Sequence, residues 1–303
     1  MDNIILADKK ARIHKTNSLG VRLFDKNKEA NLKDIQHQLS TETYKTGEYH
    51  IFKIYEPKER SIARLDYDHR VVHHAVMNVL EEIWVSIFTK NTYSCIKGRG
   101  IHKCLSDLKI ALKDIEGTKY CLKIDVSKFY PSIDRNILKI ILRRKIKDVR
   151  LLQLLDEIID SAPTEKGVPI GNYLSQFFAN LYLGYFDHWV KEVVGAKYYF
   201  RYCDDMVFLA ATKGELHGLL VQINDYFENE LNLTVKQNYQ VFPVESRGID
   251  FIGYVAFHTH VLLRKSIKKN FAKKRKSAAS VTSYMGWAKH CNSKNLVYKL
   301  LNY

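Results

Sequence analysis

The chain has 303 residues, 46% of them hydrophobic, enough to bury a substantial core as one large domain or one divided into lobes. Its net charge of +15 favours polyanionic partners and disfavours basic ones. Three further classes are disfavoured. No stretch reaches the roughly 20 apolar residues that cross a bilayer, and the start MDNIILADKKARIHK lacks the order of a signal peptide. The five cysteines, Cys95, Cys104, Cys121, Cys203 and Cys291, form no CxxC pair, so reduced, mostly buried thiols in a cytosolic protein are expected rather than a zinc site or a disulfide framework.

No repeat, low-complexity tract or linker interrupts the chain, which predicts an interleaved architecture. Residues 1–48 are polar and mixed, and are expected to be helical in part. YHIFKIYEPKERSIARL (49–65) alternates around Pro57, predicting a two-stranded hairpin with Lys58 and Arg60 near its tip. HRVVHHAVMNVLEEIWVSIF (69–88) repeats apolar residues at three and four, a helix. KYCLKIDVSKFY (119–130) reads as a strand with Leu122, Ile124 and Val126 on one face and Lys123 and Asp125 on the other, so that Asp125 ends the strand opposite the core. Pro131 and Ser132 are expected to break it and cap a helix through IDRNILKIILRRKI. After GVPIG (167–171), NYLSQFFANLYLGYFDHWVKEVV is apolar on nearly all sides, predicting one buried helix. KYYFRYC and MVFLAA predict two strands of a tight hairpin with Asp204 and Asp205 between them. Positive charge then accumulates. Arg264 to Tyr303 holds eleven Lys or Arg and no Asp or Glu, and eight of the eleven fall in RKSIKKNFAKKRK (264–276). A solvated helix face mixes both signs, so this run predicts a surface for a phosphate backbone; it lacks the apolar stripe of an interfacial membrane helix.

Two readings compete for Asp204 and Asp205 in FRYCDDMVFLA. Asp is at home in turns, and the pair can simply make the hairpin's loop. A third carboxylate, Asp125, ending another buried strand, favours a different answer: three such groups at one sheet edge would hold hard divalent cations, which take oxygen ligands and relieve the repulsion. Two Mg²⁺ ions so held would serve nucleotidyl transfer.

KIDVSKFYPSID resembles the first catalytic motif of reverse transcriptases, and YCDD their aromatic-x-Asp-Asp motif. YEPKERSI resembles the fingers hairpin, YSCIKGRGIHK a template-contacting segment and RGIDFIGY the primer-grip region, so the likeness covers roughly residues 49–266 in the family's order. Where most bacterial relatives carry Gln-Gly-x-x-x-Ser-Pro, this chain has IGNYLSQ (170–176), the pattern of the diversity-generating retroelement type. The SRGIDFIGY...LLRKS stretch also resembles that group.

The resemblance implies an α+β right-hand polymerase fold. Its parts would be an N-terminal extension (1–48), a first fingers part (49–120), a palm with an antiparallel sheet and an interleaved fingers segment at about 140–180 (121–263), and a basic helical thumb (264–303). It implies RNA-templated DNA synthesis, error-prone at adenines, in a bacterial or phage-infected cell. Asp125, Asp204 and Asp205 become the catalytic, metal-binding triad, with Val126 among the metal positions, for two Mg²⁺ or alternatively Mn²⁺. Lys58 and Arg60 would approach the dNTP triphosphate; Tyr130 would block a ribose 2′-OH; Ile170, Gly171, Ser175 and Gln176 would line the nucleotide pocket. Gly98, Arg99 and His102 would contact the template backbone, although an ordinary surface role for His102 competes. Arg264, Lys265, Lys268, Lys269, Lys273 and Lys274 would bind nucleic acid. Cys203 varies among relatives and is expected only to pack, and Lys236 receives no role. Partners would be template RNA, primer or cDNA, dNTPs and a small basic accessory protein, with no membrane. Retron, group II intron-like and phage-defence reverse transcriptases are the rival subtypes. A non-catalytic RNA-binding scaffold is the rival class, and the intact triad argues against it.

Overall fold

A computed structural model of the chain describes residues 1–55 and 59–301. Lys58, expected at the hairpin tip, lies outside the described residues. The chain begins with helices α1 (Asp2–Ala11), α2 (Leu19–Asp25) and α3 (Lys28–Ser40), then strands β1 (His50–Ile54) and β2 (Arg60–Arg64), then α4 (Tyr67–Ile87) and α5 (Ile101–Ala111). Strand β3 (Tyr120–Asp125) leads into α6 (Phe129–Ser132), α7 (Arg135–Lys145), α8 (Val149–Asp160), α9 (Tyr173–Tyr182) and α10 (Gly184–His188). Strands β4 (Tyr198–Tyr202) and β5 (Asp205–Ala210) precede α11 (Lys213–Leu231), β6 (Gln240–Pro243), α12 (Val244–Arg247) and strands β7 (Ile249–Phe251), β8 (Tyr254–Ala256) and β9 (Val261–Leu263). Helices α13 (Lys265–Lys274), α14 (Ala278–Ala288) and α15 (Lys294–Leu301) complete it.

These elements divide into two units, each assembled from separate stretches. The first comprises residues 1–89, 127–186 and 228–233. Its N-terminal helices are tied down by one buried carboxylate: Asp8 accepts from Tyr67 at 2.8 Å and pairs with Arg12 at 2.7 Å and Lys28 at 2.9 Å. A buried charge persists only when paired and hydrogen-bonded in this way. The expected hairpin forms, with His50 facing Arg64 and Ile54 facing Arg60. Two local expectations are corrected here. Pro131 and Ser132 lie inside the one-turn α6, and the cap of α7 is Asp134, whose carboxylate accepts from the Asn136 and Ile137 N–H groups; carboxylates are favoured at that position because the first helical N–H groups lack partners. The single helix expected after residue 171 is divided into α9, α10 and one π-helical turn, Trp189–Val193. The break falls at Leu183, next to Gly184 at the start of α10, where glycine's low helix propensity makes interruption cheap.

The second unit comprises residues 90–126, 187–227 and 234–303. Its main sheet has the order β4-β5-β3-β6, antiparallel throughout, and a second sheet has the order β7-β8-β9. Leu105, Leu108, Cys121, Val207, Phe200 and Tyr254 belong to one buried cluster, which places α5 and both sheets around a common core. Of the three C-terminal helices, α13 carries five lysines and α15 two, while α14 carries no Lys or Arg. In α13, Phe271 is fully buried and stacks on Tyr284 at 4.9 Å, an anchor contributing about 1.5–3 kcal/mol. All five cysteines are free; Cys104 and Cys121 are buried, and Cys95 is exposed. Among the described residues no helix is long and apolar enough to cross a membrane.

Candidate active site

The register of the four-stranded sheet decides which acidic residues meet. Strands β3 and β5 pair so that Asp125 lies directly opposite Asp205, and residues facing one another across an antiparallel pair share a face of the sheet. Lys123, Val207 and Tyr202 share that face. The hairpin ladder closes with Tyr202 opposite Asp205, leaving Cys203 and Asp204 as its two loop residues. Asp205 therefore opens a strand and is not a loop residue, which corrects the expectation that both aspartates lie between the strands. The commonest two-residue hairpin loops take positive φ at their first position or at both, and Cys203 supplies it at +56°.

Crowding has an electrostatic consequence. Asp204 is pushed up to about 7, by burial first and then by the hydrogen bond and charge of Asp125. Asp205 is pushed up to about 6 by burial, against the pull of Lys123 and with a further push from Asp125. Two lysines offset part of the negative charge. Lys236 Nζ forms an ion pair with Asp125 Oδ2, and the Lys236 backbone N–H donates to the Asp125 carbonyl at 2.9 Å. Lys123 Nζ lies 3.6 Å from Asp205 Oδ2 and donates to the Asp250 carbonyl at 2.7 Å.

Two oxygens remain unmatched: among the described residues, Asp125 Oδ1 and Asp205 Oδ1 are buried without a hydrogen-bond partner. Each such atom costs on the order of 1–3 kcal/mol, more when charged. A hard divalent cation takes oxygen ligands and would satisfy both, so an all-carboxylate donor set fits Mg²⁺ or Mn²⁺ better than zinc. The three carboxylates are neighbours at one sheet end and not a finished cage; among the described residues no three His, Cys, Asp or Glu side chains are arranged to enclose an ion. Val126 buries its side chain fully, leaving only its backbone as a donor.

The expected nucleotide residues fall in the first unit. Ala63 of β2 donates its N–H to the Ile170 carbonyl at 2.9 Å, and Gly171, at φ +127°, sits so close that a Cβ there would lie 2.7 Å from the Ala63 carbonyl. Arg60 opens that same strand, so Arg60, Ile170 and Gly171 belong to one local assembly. Ser175 is buried within α9 while Gln176 is exposed, so of that pair only Gln176 offers its side chain to solvent. Tyr130 lies on α6 beside Phe129, and its carbonyl accepts from Val168 at 3.0 Å.

The expected nucleic-acid residues fall in the second unit. Gly98, at φ +77°, and Arg99 form a turn in which Arg99 N–H donates to the Ile96 carbonyl at 3.0 Å. The His102 ring stacks on His290 at 3.8 Å and meets Tyr254, a packing role that burial and His290 accompany by lowering its pKa. Arg264 is paired with Asp250 at 2.5 Å. Lys265, Lys269, Lys273 and Lys274 are exposed on α13, with Lys268 half-buried.

A family model for reverse transcriptase (RNA-dependent DNA polymerase) matches residues 51–256. The chain belongs to this family. The curated relatives are distant: the protein YkfC of Escherichia coli strain K12 is 24% identical over 65% of this chain and 61% of its own length. The group II intron-encoded protein LtrA of Lactococcus lactis subsp. cremoris is 24% identical over 54% of this chain and 29% of its own. This chain thus spans less than two thirds of the curated relatives it matches. The fold is similar to that of apo telomerase from Candida tropicalis truncated from its C-terminal domain, with a TM-score of 0.57 at 13% identity over 73% of this chain and 55% of that one. The right-hand polymerase fold expected from the sequence is therefore present.

Within this reverse transcriptase, two side chains at the carboxylate corner had no role read from sequence: Lys236 and Lys123. For Lys236 a signal existed. Leu233 and Val235 are buried, and Val235 bridges Val126, so alternation sends Lys236 to the face of Asp125. What the alternation lacked was a partner strand to fix its register.

Proposed function

We propose that this reverse transcriptase copies a template RNA into DNA, extending a primer with dNTPs at the corner formed by Asp125, Asp204 and Asp205. The pairing of Asp125 with Asp205 beside the Asp204 loop carries the reading. Divalent ions bound there, Mg²⁺ first and Mn²⁺ as the alternative, would activate the attacking hydroxyl and stabilise the leaving pyrophosphate. The chain's part is to supply the oxygens and to hold them. Asp125 and Asp205 each offer one oxygen unpartnered among the described residues, while Lys236 and Lys123 sit against the other oxygen of each and orient it. Arg60, and Lys58 with it, would offset triphosphate charge. The basic residues from Lys265 to Lys274 would bind the nucleic-acid backbone as a thumb, with Gly98 and Arg99 on the template. Primer extension on an RNA template across a range of Mg²⁺ and Mn²⁺ tests the reading; no extension at any concentration refutes it.

The subtype we favour is the diversity-generating retroelement type, with a small basic accessory protein as partner. IGNYLSQ at 170–176 supports it. Similarity to the group II intron-encoded protein LtrA supports the rival, an intron-type enzyme. Ile170 separates them. A glutamine there could hydrogen-bond near the nascent pair; an aliphatic side chain cannot, so discrimination rests more on shape and a mispair loses less. Wild type is expected to misincorporate mainly opposite template adenines, and Ile170→Gln to reduce those errors about tenfold, on the scale of about one lost hydrogen bond. Sequencing cDNA made on one RNA by both proteins decides it. Uniformly low wild-type error at all four template bases would leave the intron-type reading standing.

Tyr130 is the proposed gate against ribonucleotides. Tyr130→Ala should raise ATP incorporation relative to dATP by about 10–100-fold, since removing a ring opens space for a 2′-OH. Competition between dATP and ATP during extension measures this. An active variant with unaltered discrimination removes Tyr130 from the role.

A further inference from the structure

The loop residue before Asp204 has an uncommon backbone. Cys203 is not glycine, yet its φ is +56°; such a conformation persists only where the surroundings over-determine it. Both of its backbone polar groups are held from outside the hairpin loop. The Cys203 N–H donates to Ser94 Oγ at 3.0 Å, and its carbonyl accepts from Arg201 Nη1 at 3.0 Å.

Arg201 reaches that carbonyl from the opposite face of the sheet. It pairs with Met206, one residue along from Asp205, so its side chain leaves β4 on the side away from Asp125 and Asp205. There it is 0% exposed and forms an ion pair with Asp187, likewise 0% exposed. Arg201 Nε donates to Asp187 Oδ1 at 2.7 Å, and Nη2 donates to Oδ2. Thr92 and Tyr199 hydroxyls donate to the same carboxylate at 2.6 Å each. The backbone is fixed too: Arg201 N–H donates to the Asn91 carbonyl at 2.9 Å, and Tyr93 N–H donates to the Arg201 carbonyl at 3.1 Å. A buried ion pair is weak evidence for stability, because desolvation offsets the attraction, and its best-attested use is to specify one conformation. Here one arm of a planar guanidinium grips a saturated carboxylate and another grips a strained loop; an ammonium has no such fork.

We infer that Arg201, anchored on Asp187, is a positioning residue that together with Ser94 clamps Cys203 and thereby places the Asp204 carboxylate for the reaction. The inference rests on the polymerase reading above for its kinetic consequence, but the clamp itself is a property of the hairpin. Arg201→Lys keeps a cation on Asp187 while losing the span to Cys203. It should lower kcat by about 10²-fold, the scale of a displacement of about 1 Å at a reacting centre, with the KM for dNTP unchanged within about twofold. Ser94→Ala, which keeps the buried pair, should lower kcat in the same sense by about tenfold, the scale of one hydrogen bond.

The decisive arm is rescue. Glycine adopts positive φ without steric cost, so Cys203→Gly added to Arg201→Lys should restore kcat by about tenfold, which relief of loop strain explains and a general packing defect does not. Where Arg201→Lys fails to fold, Ser94→Ala with and without Cys203→Gly makes the same comparison. Hydrogen exchange of peptides spanning residues 202–205 supplies a readout free of catalysis. Exchange there should quicken in the single variants and not in helices remote from the hairpin. Unchanged kcat in both single variants, a loss that Cys203→Gly does not relieve, or unaltered exchange in that peptide would each overturn the clamp. A wild type that never extends a primer would instead refute the polymerase reading, and the exchange comparison would still decide the clamp.

Discussion

Asp204→Asn is expected to abolish dNTP incorporation, by about 10²–10³-fold or more, while leaving the metal-free protein folded and more stable than wild type above neutral pH. The activity loss follows from removing an oxygen donor at the point where charge develops. The stability gain follows from linkage. Asp204 is pushed up to about 7 in the folded chain, against about 3.9 when unfolded. Between those values the folded state binds more protons than the unfolded state, so stability is fully present at low pH and falls as pH rises through about 7. Asn carries no charge and removes that share of the decline. The expected result is a Tm above wild type at pH 8, with the gap closing toward pH 4, in melts run with chelator. Asp205, pushed up to about 6, keeps part of the slope in both proteins. Asp125→Asn should cost as much activity but differ in its melts, because it relieves Asp204 and also strips Lys236 of its partner. Wild-type-like extension by either variant would remove the carboxylates from catalysis.

How much of this corner was legible in the sequence depends on which contacts are local. The strand ending in Asp125 and the hairpin around Asp204 were readable because period-two burial and loop chemistry are properties of short segments. That Asp205 belongs to the ladder and Asp204 to the loop was not, since one position of register is set by the pairing of Tyr202 with Asp205. Fold class was readable for a different reason: the order of several moderately specific segments matched one family, and the family model covers residues 51–256. Charges behaved worst. Lys236, Lys123, Arg201 and Asp187 each carry a sign that sequence displays and a partner that it does not, because their partners arrive from other segments. Cys203 shows the same limit for backbone. A cysteine gives no hint of positive φ, whereas a glycine there would have. The break before Gly184 and the cap at Asp134 each carry a local signal, a glycine and a carboxylate, that a longer apolar pattern and a nearer proline outweigh.

Neutralising Lys268, Lys269, Lys273 and Lys274 together is expected to flatten the salt dependence of RNA binding, reducing the slope of log K against log salt by up to about 3 to 4 if all four meet phosphates. The helix is built for such contacts. Phe271 is buried while Lys269, Lys273 and Lys274 are exposed, and no Asp or Glu occurs from Arg264 to Tyr303 to pair them locally. A lysine without a carboxylate neighbour releases a counterion from RNA when it binds; one already paired has less to gain. Arg264 therefore serves as the internal comparison. It is paired with Asp250 at 2.5 Å, and although half-exposed pairs contribute little stability, the pairing supplies a local counter-charge. Arg264→Gln should change the slope by clearly less than any one of the exposed lysines. Titrations of a short RNA at four or more salt concentrations measure all the slopes. An unchanged slope in the quadruple variant would place the RNA elsewhere on the molecule. A full unit of slope lost with Arg264 would show instead that Asp250 yields its partner to the phosphate.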